Sequence, residues 1–365
     1  MQLNLSEAHK ILGDFGEIHH SHLPPGVYDQ VNEYKSRFAS KFKSTHITNL
    51  ASMQGNTYYA SLKLDGEHAH LWWDDQYEIP MLVRHRGYAY FGLPILEKAA
   101  AILRKKGIKK ALIPGELYVR KPDYERTRVF DVISLTKAPK SQTDLEMLSF
   151  APFDILELDG QYFDDFGEVW QAILALFQGT EIEPPPMLIT KDKTEILTYF
   201  ERWVNEYNAE GLMVRSDLTF RYKLKAKFTI DAAILGYTED QGKVTSLLTG
   251  LMHNDGQYQV CAHVYKRIPD DLAVSLYKQL SKRHVPSEYY EMSSFYVPFH
   301  MVKPETVIEF STTDMVPERS NGMPVKKAVL DYEKKEGYTL TKTSPFANLA
   351  HCEFVRIRED KAPNP

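Results

Sequence analysis

Hydrophobic and polar positions follow two different patterns on either side of about residue 229. Before it, short apolar runs bounded by polar turns predict β-strands, and longer segments with apolar residues at helical spacing predict helices between them. The helices are predicted at Leu93–Arg104, Phe166–Phe177 and Thr194–Tyr207. The strands are predicted at Tyr58–Leu62, His68–Trp73, Ala111–Val119, Val129–Ser134, Phe153–Leu158, Gly211–Arg215 and Arg221–Lys227.

After residue 229 the chain changes to short strands that are separated by glycine and polar turns. One helix, Asp270–Lys282, interrupts them. Several short strands with one helix predict a small β-barrel such as an OB-fold. The predicted strands include Ala233–Tyr237, Leu247–Met252, Tyr258–Val264 and Thr306–Ser311.

The first 45 residues follow neither pattern. They are polar and are predicted to be mainly helical, with a break at Pro24–Gly26. We therefore expect three segments: an extension of unknown role over residues 1–45, a first domain over 46–228 and a barrel domain over 229–365.

Composition narrows the class of protein. The chain has 365 residues, of which 43% are hydrophobic, and this is enough for two buried cores. The sequence has no long apolar run and no signal-peptide pattern, and its two cysteines are not in metal-ligand spacing. We therefore expect an intracellular protein, in the cytoplasm, nucleoid or nucleus, with no membrane partner.

Net charge is −5, which argues weakly against a nucleic-acid partner. Binding depends on local charge, however, and the chain contains several basic clusters. They lie at residues 35–43, 84–86, 104–110 and 221–227.

The clearest chemical signal is the sequence Lys63-Leu64-Asp65-Gly66 between two predicted strands. Four residues of this kind recur by chance, so the signal depends on the motifs that follow in order. They are Gly115-Glu116-Leu117-Tyr118, Phe153-Asp154-Ile155-Leu156, Glu210-Gly211-Leu212-Met213-Val214-Arg215, Lys223-Leu224-Lys225 and Phe354-Val355-Arg356-Ile357-Arg358-Glu359-Asp360-Lys361.

This ordered series resembles the six nucleotidyltransferase motifs of the ATP-dependent DNA ligase family, which shares a superfamily with RNA ligases and mRNA capping enzymes. The resemblance spans about residues 57–361. It implies an α+β fold: an ATP-grasp-like nucleotidyltransferase domain of mixed antiparallel sheets with helices, followed by an OB-fold β-barrel. It also implies a monomeric enzyme that clamps nicked duplex DNA and seals it, with ATP and Mg²⁺ or Mn²⁺ as cofactors, in replication, repair or recombination.

The residue types suit this chemistry. A lysine amine can attack the α-phosphate of ATP, provided that it has lost its proton. Lys223 and Lys225 point to one face of a strand, and as neighbouring cations they are expected to lower the pKa of Lys63 and to hold phosphate. Glu116 and Glu210 are expected to hold a divalent cation between them and the phosphates.

Further roles are implied by the resemblance alone. Phe153 is expected to stack on adenine, and Glu116 to contact the ribose. One of Arg84 and Arg86 is expected to hold the 5′-phosphate of the nick, since guanidinium binds two phosphate oxygens at once. The other expected nucleotide contacts are Leu62, Asp65, Gly66, His68, Glu210, Arg215, Arg358 and Lys361.

Two positions depart from the family pattern. His68 stands where an arginine is usual, and Glu353 stands where a cation is usual before the last motif. Three alternatives therefore stay open: an RNA ligase, a capping-type guanylyltransferase and an inactive homologue that binds nucleic-acid ends. Nucleotide labelling and the choice of nicked substrate distinguish them.

Overall fold

The computed structural model describes residues 3, 5–121, 126–319 and 323–364. The chain forms two compact units, Met1–Lys225 and Ala226–Pro365. No helix in these ranges is both long enough and apolar enough to cross a lipid bilayer.

The first unit combines two antiparallel sheets with helices. In chain order its elements are β1 (His9–Leu12), β2 (Phe15–His19), α1 (Val27–Arg37), β3 (Lys43–Thr45), β4 (Tyr58–Leu62), β5 (Glu67–Asp74), β6 (Met81–Val83), β7 (Tyr88–Phe91), α2 (Pro94–Lys105), β8 (Lys110–Val119), α3 (Val129–Lys137), α4 (Gln142–Glu146), β9 (Leu148–Pro152), β10 (Glu157–Leu158), α5 (Phe166–Phe177), β11 (Met187–Thr190), α6 (Lys193–Glu201), β12 (Gly211–Ser216) and β13 (Arg221–Lys225). Short 3₁₀ turns lie at His20–His22, Ala39–Lys41 and Ile47–Ser52, and a π turn at Arg202–Glu206.

Consecutive strands β4 and β5 belong to different sheets. The larger sheet has the order β1-β2-β7-β6-β5-β8-β10, with β9 also paired to β8, and the smaller has the order β11-β4-β12-β13-β3. All pairs are antiparallel except β13 with β3. The segment of residues 63–66 therefore crosses from one sheet to the other.

The larger sheet is buried on both faces, as the alternating directions of the side chains along β5 show. Leu71 and Trp73 enter one core, which helices α2 and α5 cover, whereas Trp72 enters a second core that contains Val31 of α1. Successive side chains of a strand point to opposite faces, so one apolar run serves both cores.

The second unit is a curved antiparallel sheet. Its elements are β14 (Phe228–Asp240), β15 (Lys243–Met252), β16 (Tyr258–Val264), α7 (Asp270–Leu280), β17 (His300–Met301), β18 (Val307–Thr312), β19 (Asp314–Val316), β20 (Lys326–Glu333), β21 (Gly337–Pro345), β22 (Asn348–Ala350) and β23 (Glu353–Ile357). The order is β21-β20-β16-β15-β14-β18-β23, with β17 on β14 and a separate pair of β19 with β22.

A parallel bridge between Lys266 and Glu353 joins the end of β16 to the start of β23. Pairing thereby runs in a ring through β14, β15, β16, β23 and β18. Apolar side chains from these strands and from α7 form the core inside it, including Ile234, Leu247, Leu276 and Phe310.

Three expectations about local structure are wrong. Phe153–Leu158 is not one strand, because β9 ends at Pro152 and β10 comprises only Glu157–Leu158. The first 45 residues are not mainly helical: within the described residues 3 and 5–45, only Val27–Arg37 is an α-helix, and β1 and β2 extend the larger sheet, with Phe15 and Ile18 buried. Val129–Ser134 belongs to a helix although it is rich in β-branched residues. The Asp131 carboxylate accepts the backbone N–H of Arg128 at 2.8 Å, which caps the helix start, and Val132 and Thr136 bury one helical face.

Candidate active site

Lys63 lies at the crossing between the two sheets of the first unit. The backbone N–H of Lys63 donates to the Gly211 carbonyl at 2.9 Å, which fixes the lysine beside β12. Gly66 completes the crossing, and a Cβ there would lie 2.2 Å from the Leu117 carbonyl oxygen. Only glycine therefore allows this segment to approach β8 so closely.

The Lys63 ammonium is paired with Glu210. One oxygen of the Glu210 carboxylate bonds to Lys63 Nζ, and the other lies 2.5 Å from Lys225 Nζ. Burial raises the pKa of Glu210, but the two ammoniums lower it more, so the net shift is downward.

The expected depression of the Lys63 pKa is wrong for the ligand-free protein. Burial lowers the pKa of Lys63, but the carboxylates of Glu210, Glu116 and Asp65 together raise it above its ordinary value. Lys223 shows the opposite shift, because burial and the charges of Lys63 and Lys225 lower its pKa. Unliganded Lys63 is therefore an ammonium ion at neutral pH.

Glu116 lies on β8, in register with His68 of β5. Its carboxylate accepts the backbone N–H of Gly66 at 3.1 Å. Burial raises the pKa of Glu116 to about 7, against the lowering effects of Lys63 and the Gly66 N–H. Near neutral pH the Glu116 carboxyl group is therefore only partly ionised, whereas that of Glu210 is ionised.

Asp65 is bound by a residue that the sequence did not indicate. Arg126 Nη2 lies 3.2 Å from Asp65 Oδ2, and the Val129 N–H lies 3.4 Å from the other oxygen. Burial and Glu210 raise the pKa of Asp65, while Lys63 and Arg126 oppose the shift. No spacing or motif in the sequence marks Arg126 as a partner of this aspartate.

A cavity of about 460 Å³ opens on one side of Lys63. Its lining combines apolar and aromatic side chains with a few charged groups, which is typical of a small-molecule site. The predicted residues Leu62, Lys63, His68, Glu116, Phe153, Arg215 and Lys223 all line it. A smaller cavity of about 230 Å³ lies on the other side, with Lys63, Asp65, Arg120, Arg126 and Glu210 in its lining.

His68 and Phe153 stack inside the larger cavity. Their ring centroids are 5.6 Å apart and the planes differ by 18°. Burial, followed by His85 and Lys35, lowers the pKa of His68 to about 4, so the imidazole is neutral. The histidine therefore brings an aromatic surface, and no positive charge, to the position where an arginine is usual.

Arg84 and Arg86 have different surroundings. Arg84 is 5% exposed, and its guanidinium lies 2.7 Å from Glu17 and 3.4 Å from Glu67. It also donates to the Tyr90 hydroxyl at 2.9 Å. Arg86 is exposed, so of the two it is the one that solvent and ligands reach.

Arg358 and Lys361 belong to the second unit, where both contact Asp231. Arg358 Nη1 lies 2.6 Å and Lys361 Nζ 2.5 Å from the Asp231 carboxylate. Glu353 bonds to Lys227 at 2.8 Å and to Arg267 at 3.4 Å. The unusual acidic residue is thus satisfied inside its own unit.

The acidic residues around Lys63 are few. In the described part of the chain, no group of three or more His, Cys, Asp or Glu side chains is arranged to hold a metal ion. Mg²⁺ is commonly held by one or two carboxylates together with substrate phosphates and water. Glu116 and Glu210 therefore suit Mg²⁺ only when phosphate oxygens complete the coordination.

The family model for the ATP-dependent DNA ligase domain matches residues 37–229, which is more than half of the chain. A search of curated proteins gives no match. Among solved structures, one described as Pmar-Lig_PreS3 has 13% identity and a TM-score of 0.53, covering 91% of this chain and 72% of that one. At this identity the similarity concerns the fold.

Other solved structures that resemble the chain include mycobacterial DNA ligase D complexed with ATP and MES. It has 17% identity and a TM-score of 0.40, covering 90% of this chain and 98% of that one. The ATP-dependent DNA ligase of bacteriophage T7 in complex with ATP has 15% identity and a TM-score of 0.38, covering 88% of this chain and 100% of that one.

A lysine beside a cavity of about 460 Å³, flanked by carboxylates and further lysines, suits an enzyme that acts on phosphates. The match over residues 37–229 shows that this chain belongs to the ATP-dependent DNA ligase family. Its activity is therefore the ATP-dependent sealing of nicks in DNA. This confirms the expected family and activity, an ATP-dependent DNA ligase.

Proposed function

We propose that Lys63 carries AMP during ligation and that the 460 Å³ cavity binds the nucleotide. The observation that carries this proposal is the position of Lys63 between the paired Glu210 carboxylate and the cavity lined by Phe153. Phe153 offers a ring for the adenine, next to the stacked His68. Leu62 and Arg215 form further parts of the same lining.

The reaction proceeds in three balanced steps. The Lys63 amine, after losing a proton, attacks the α-phosphorus of ATP; the bond to the β-phosphate oxygen breaks and pyrophosphate leaves. A 5′-phosphate oxygen of the nick then attacks the same phosphorus, which breaks the phosphorus–nitrogen bond and frees Lys63. Finally the 3′-hydroxyl loses its proton and attacks the 5′-phosphorus, and AMP leaves.

The neighbouring charges have distinct roles in this proposal. Lys223 lines the cavity and stabilises negative charge that develops on the phosphate. Glu210 holds the Lys63 side chain beside the cavity, and Lys225 holds Glu210. Glu116, with a pKa of about 7, is suited to accept a proton near Lys63 or to contact the ribose.

Glu116 and Glu210 are the residues that would hold Mg²⁺ or Mn²⁺. When bound, such a cation would neutralise phosphate charge and engage the carboxylates that raise the pKa of Lys63. Asp65 would not bind the cation in this arrangement, because its carboxylate is already paired with Arg126.

We also propose that residues 46–228 form the adenylyltransferase domain and residues 229–365 an OB-fold domain. The pairing ring of β14, β15, β16, β23 and β18 supports the second assignment, and so does the position of α7 between the third and fourth of these strands along the chain. This matches the five-stranded Greek-key barrel of an OB-fold.

The contact of Arg86 with the nick and the contacts of Arg358 and Lys361 with the nucleotide stay predictions.

Labelling with radioactive nucleotide tests the proposal. The protein is incubated with labelled ATP or GTP and Mg²⁺, resolved on a denaturing gel, and chased with nicked DNA or nicked RNA. We expect label from ATP, located on Lys63 by peptide mapping, that discharges as nicked DNA becomes sealed. Label on another residue would overturn the assignment of Lys63.

A further inference from the structure

Helix α1 begins before the segment that matches the ligase family, since it spans Val27–Arg37 and the match starts at residue 37. Its buried residues are Val31 and Tyr34. Val31 joins the core beneath the larger sheet, which accounts for it as a packing residue. Tyr34 is 3% exposed, yet its hydroxyl group requires a polar partner at that depth.

The partner of Tyr34 is the aspartate next to Phe153. The Tyr34 hydroxyl donates to Asp154 Oδ2 at 2.7 Å, and Arg215 Nη1 donates to the same oxygen at 2.7 Å. The other Asp154 oxygen accepts the Ile155 N–H at 3.0 Å. A buried carboxylate is therefore fully bonded by groups from three separate parts of the chain.

This network reaches the wall of the nucleotide cavity. Arg215 Nη2 lies 3.4 Å from the Phe153 carbonyl oxygen, and the guanidinium lies 4.2 Å from the centre of the Phe166 ring. Tyr34, Phe153, Phe166 and Arg215 all line the 460 Å³ cavity. The Tyr34 ring also lies edge-on to His70, with 5.4 Å between centroids.

We propose that Tyr34 is a positioning residue for ATP, which acts through Asp154 and Arg215 on Phe153, so that helix α1 is part of the nucleotide-binding machinery. This inference rests on the proposed binding of the nucleotide in the 460 Å³ cavity. Without the hydroxyl, Asp154 keeps Arg215 but loses one of its two side-chain donors. The Phe153 backbone and the Arg215 guanidinium are then less restrained, and the adenine site is less ordered before ATP binds.

The protonation states of Tyr34 and Arg215 keep this network intact at neutral pH. Burial, followed by the Asp154 carboxylate, raises the pKa of Tyr34 well above its ordinary value. Burial lowers the pKa of Arg215, but Asp154 raises it more. The hydroxyl is therefore a donor, and the guanidinium a cation, at neutral and mildly alkaline pH.

The test compares Tyr34→Phe with Tyr58→Phe in the full chain. Tyr58 is the matched control: it is buried in the same unit, its hydroxyl donates to the Gly55 carbonyl at 2.8 Å, and it lines neither cavity around Lys63. Self-adenylation is followed against ATP concentration. Sealing of a nicked DNA whose 5′ end is already adenylated is followed separately, because that step needs no ATP.

We expect Tyr34→Phe to raise the ATP concentration for half-maximal adenylation by about tenfold, as loss of one charge-assisted hydrogen bond predicts. The maximal rate and the sealing of pre-adenylated DNA should change less than about twofold by the same reasoning, because the network only orders the ATP site. Tyr58→Phe should leave all three values as in the unmodified protein. The double variant Tyr34→Phe/Asp154→Asn should be no worse than Asp154→Asn alone, because the hydroxyl acts through this carboxylate.

An ATP requirement in Tyr34→Phe equal to that of Tyr58→Phe would overturn the inference. So would an equal loss of adenylation and of sealing with pre-adenylated DNA, since that is the result of a general structural defect. If the unmodified protein forms no adenylate on Lys63, the proposed function fails instead, and the two failures are thereby distinguished.

Discussion

The Glu210 carboxylate lies between Lys63 and Lys225, with one oxygen directed to each ammonium group. The side chains of Lys63 and Glu210 are only 20% and 10% exposed, so solvent screens this pair weakly. Lys63 in the ligand-free site is therefore protonated. If Lys63 carries AMP as proposed, ATP and a bound cation must draw Glu210 away or compensate its charge before Lys63 can attack.

Replacement of Lys63 is the first prediction. Lys63→Ala should form no covalent adenylate, and Lys63→Arg should fail equally, because arginine keeps the charge but has no nucleophilic amine at neutral pH. Both variants should still seal pre-adenylated nicked DNA, since that step breaks no bond to Lys63. Gel labelling with ATP measures the first step, and circular dichroism checks folding. A full-strength adenylate in either variant would show that another residue is the nucleophile.

Removal of the Glu210 charge is the second prediction. Glu210→Gln should lower the pKa of Lys63, because the carboxylate raises it in the unmodified protein. Modification of Lys63 by acetic anhydride, in the absence of ATP and metal, should therefore begin at lower pH in the variant. Mass spectrometry measures the modified fraction, with exposed Lys105 as the internal reference. An unchanged pH profile at Lys63 would contradict the electrostatic role given to Glu210.

The sequence predicted many of the helices and strands in both units. Tyr58–Leu62, Phe166–Phe177 and Tyr258–Val264 have the predicted bounds, since their apolar spacing directly reflects the face that they bury. The prediction failed at Val129–Ser134, where a backbone cap and one buried face outweigh β propensity.

Long-range partners were the least predictable part of the site. Arg126 meets Asp65 and Tyr34 meets Asp154 across separations of 61 and 120 residues, and no local pattern marks such pairs. The direction of the Lys63 pKa shift was missed for the same reason. The expectation weighed the cations of one strand, whereas the carboxylates of Glu210, Glu116 and Asp65 outweigh the effect of burial and raise the pKa of Lys63.

The pH dependence of stability is the third prediction. The pKa of Glu116 is raised from 4.5 to about 7 in the folded protein, so folding favours the protonated carboxyl. This contribution is fully present below about pH 4.5 and is lost as the pH rises through 7. Glu116→Gln stays neutral at every pH. Its free energy of unfolding, relative to the unmodified protein, should therefore rise between pH 5 and pH 8 by up to about 3 kcal/mol.

Chemical denaturation at several pH values measures this difference. Glu97→Gln is the control, because Glu97 is exposed in the first turn of α2 and lies in neither cavity lining. A difference between Glu116→Gln and the unmodified protein that stays constant with pH would contradict the raised pKa.

The fourth prediction is that Arg84 and Arg86, which follow β6, have different effects on stability when they are replaced. Arg84→Met should lower the free energy of unfolding by about 3 kcal/mol, because Glu17 and Glu67 lose the guanidinium that both of them contact. Lys137, 3.5 Å from Glu17, offsets only part of that loss. Arg86→Ala should change stability by less than about 0.5 kcal/mol, since its side chain is exposed.

Binding of nicked DNA should distinguish these arginines in the opposite sense, with the larger effect at Arg86. Arg86→Ala should weaken binding of a nick that carries a 5′-phosphate but not of one that carries a 5′-hydroxyl, because only the phosphate offers the dianion that guanidinium binds in two places. Folded Arg84→Met should discriminate the two nicks as the unmodified protein does. Gel-shift titration measures the ratio of the dissociation constants for the 5′-phosphate and 5′-hydroxyl nicks. If Arg86→Ala weakened binding of both nicks equally, Arg86 would contact the DNA backbone in general and not the 5′ end.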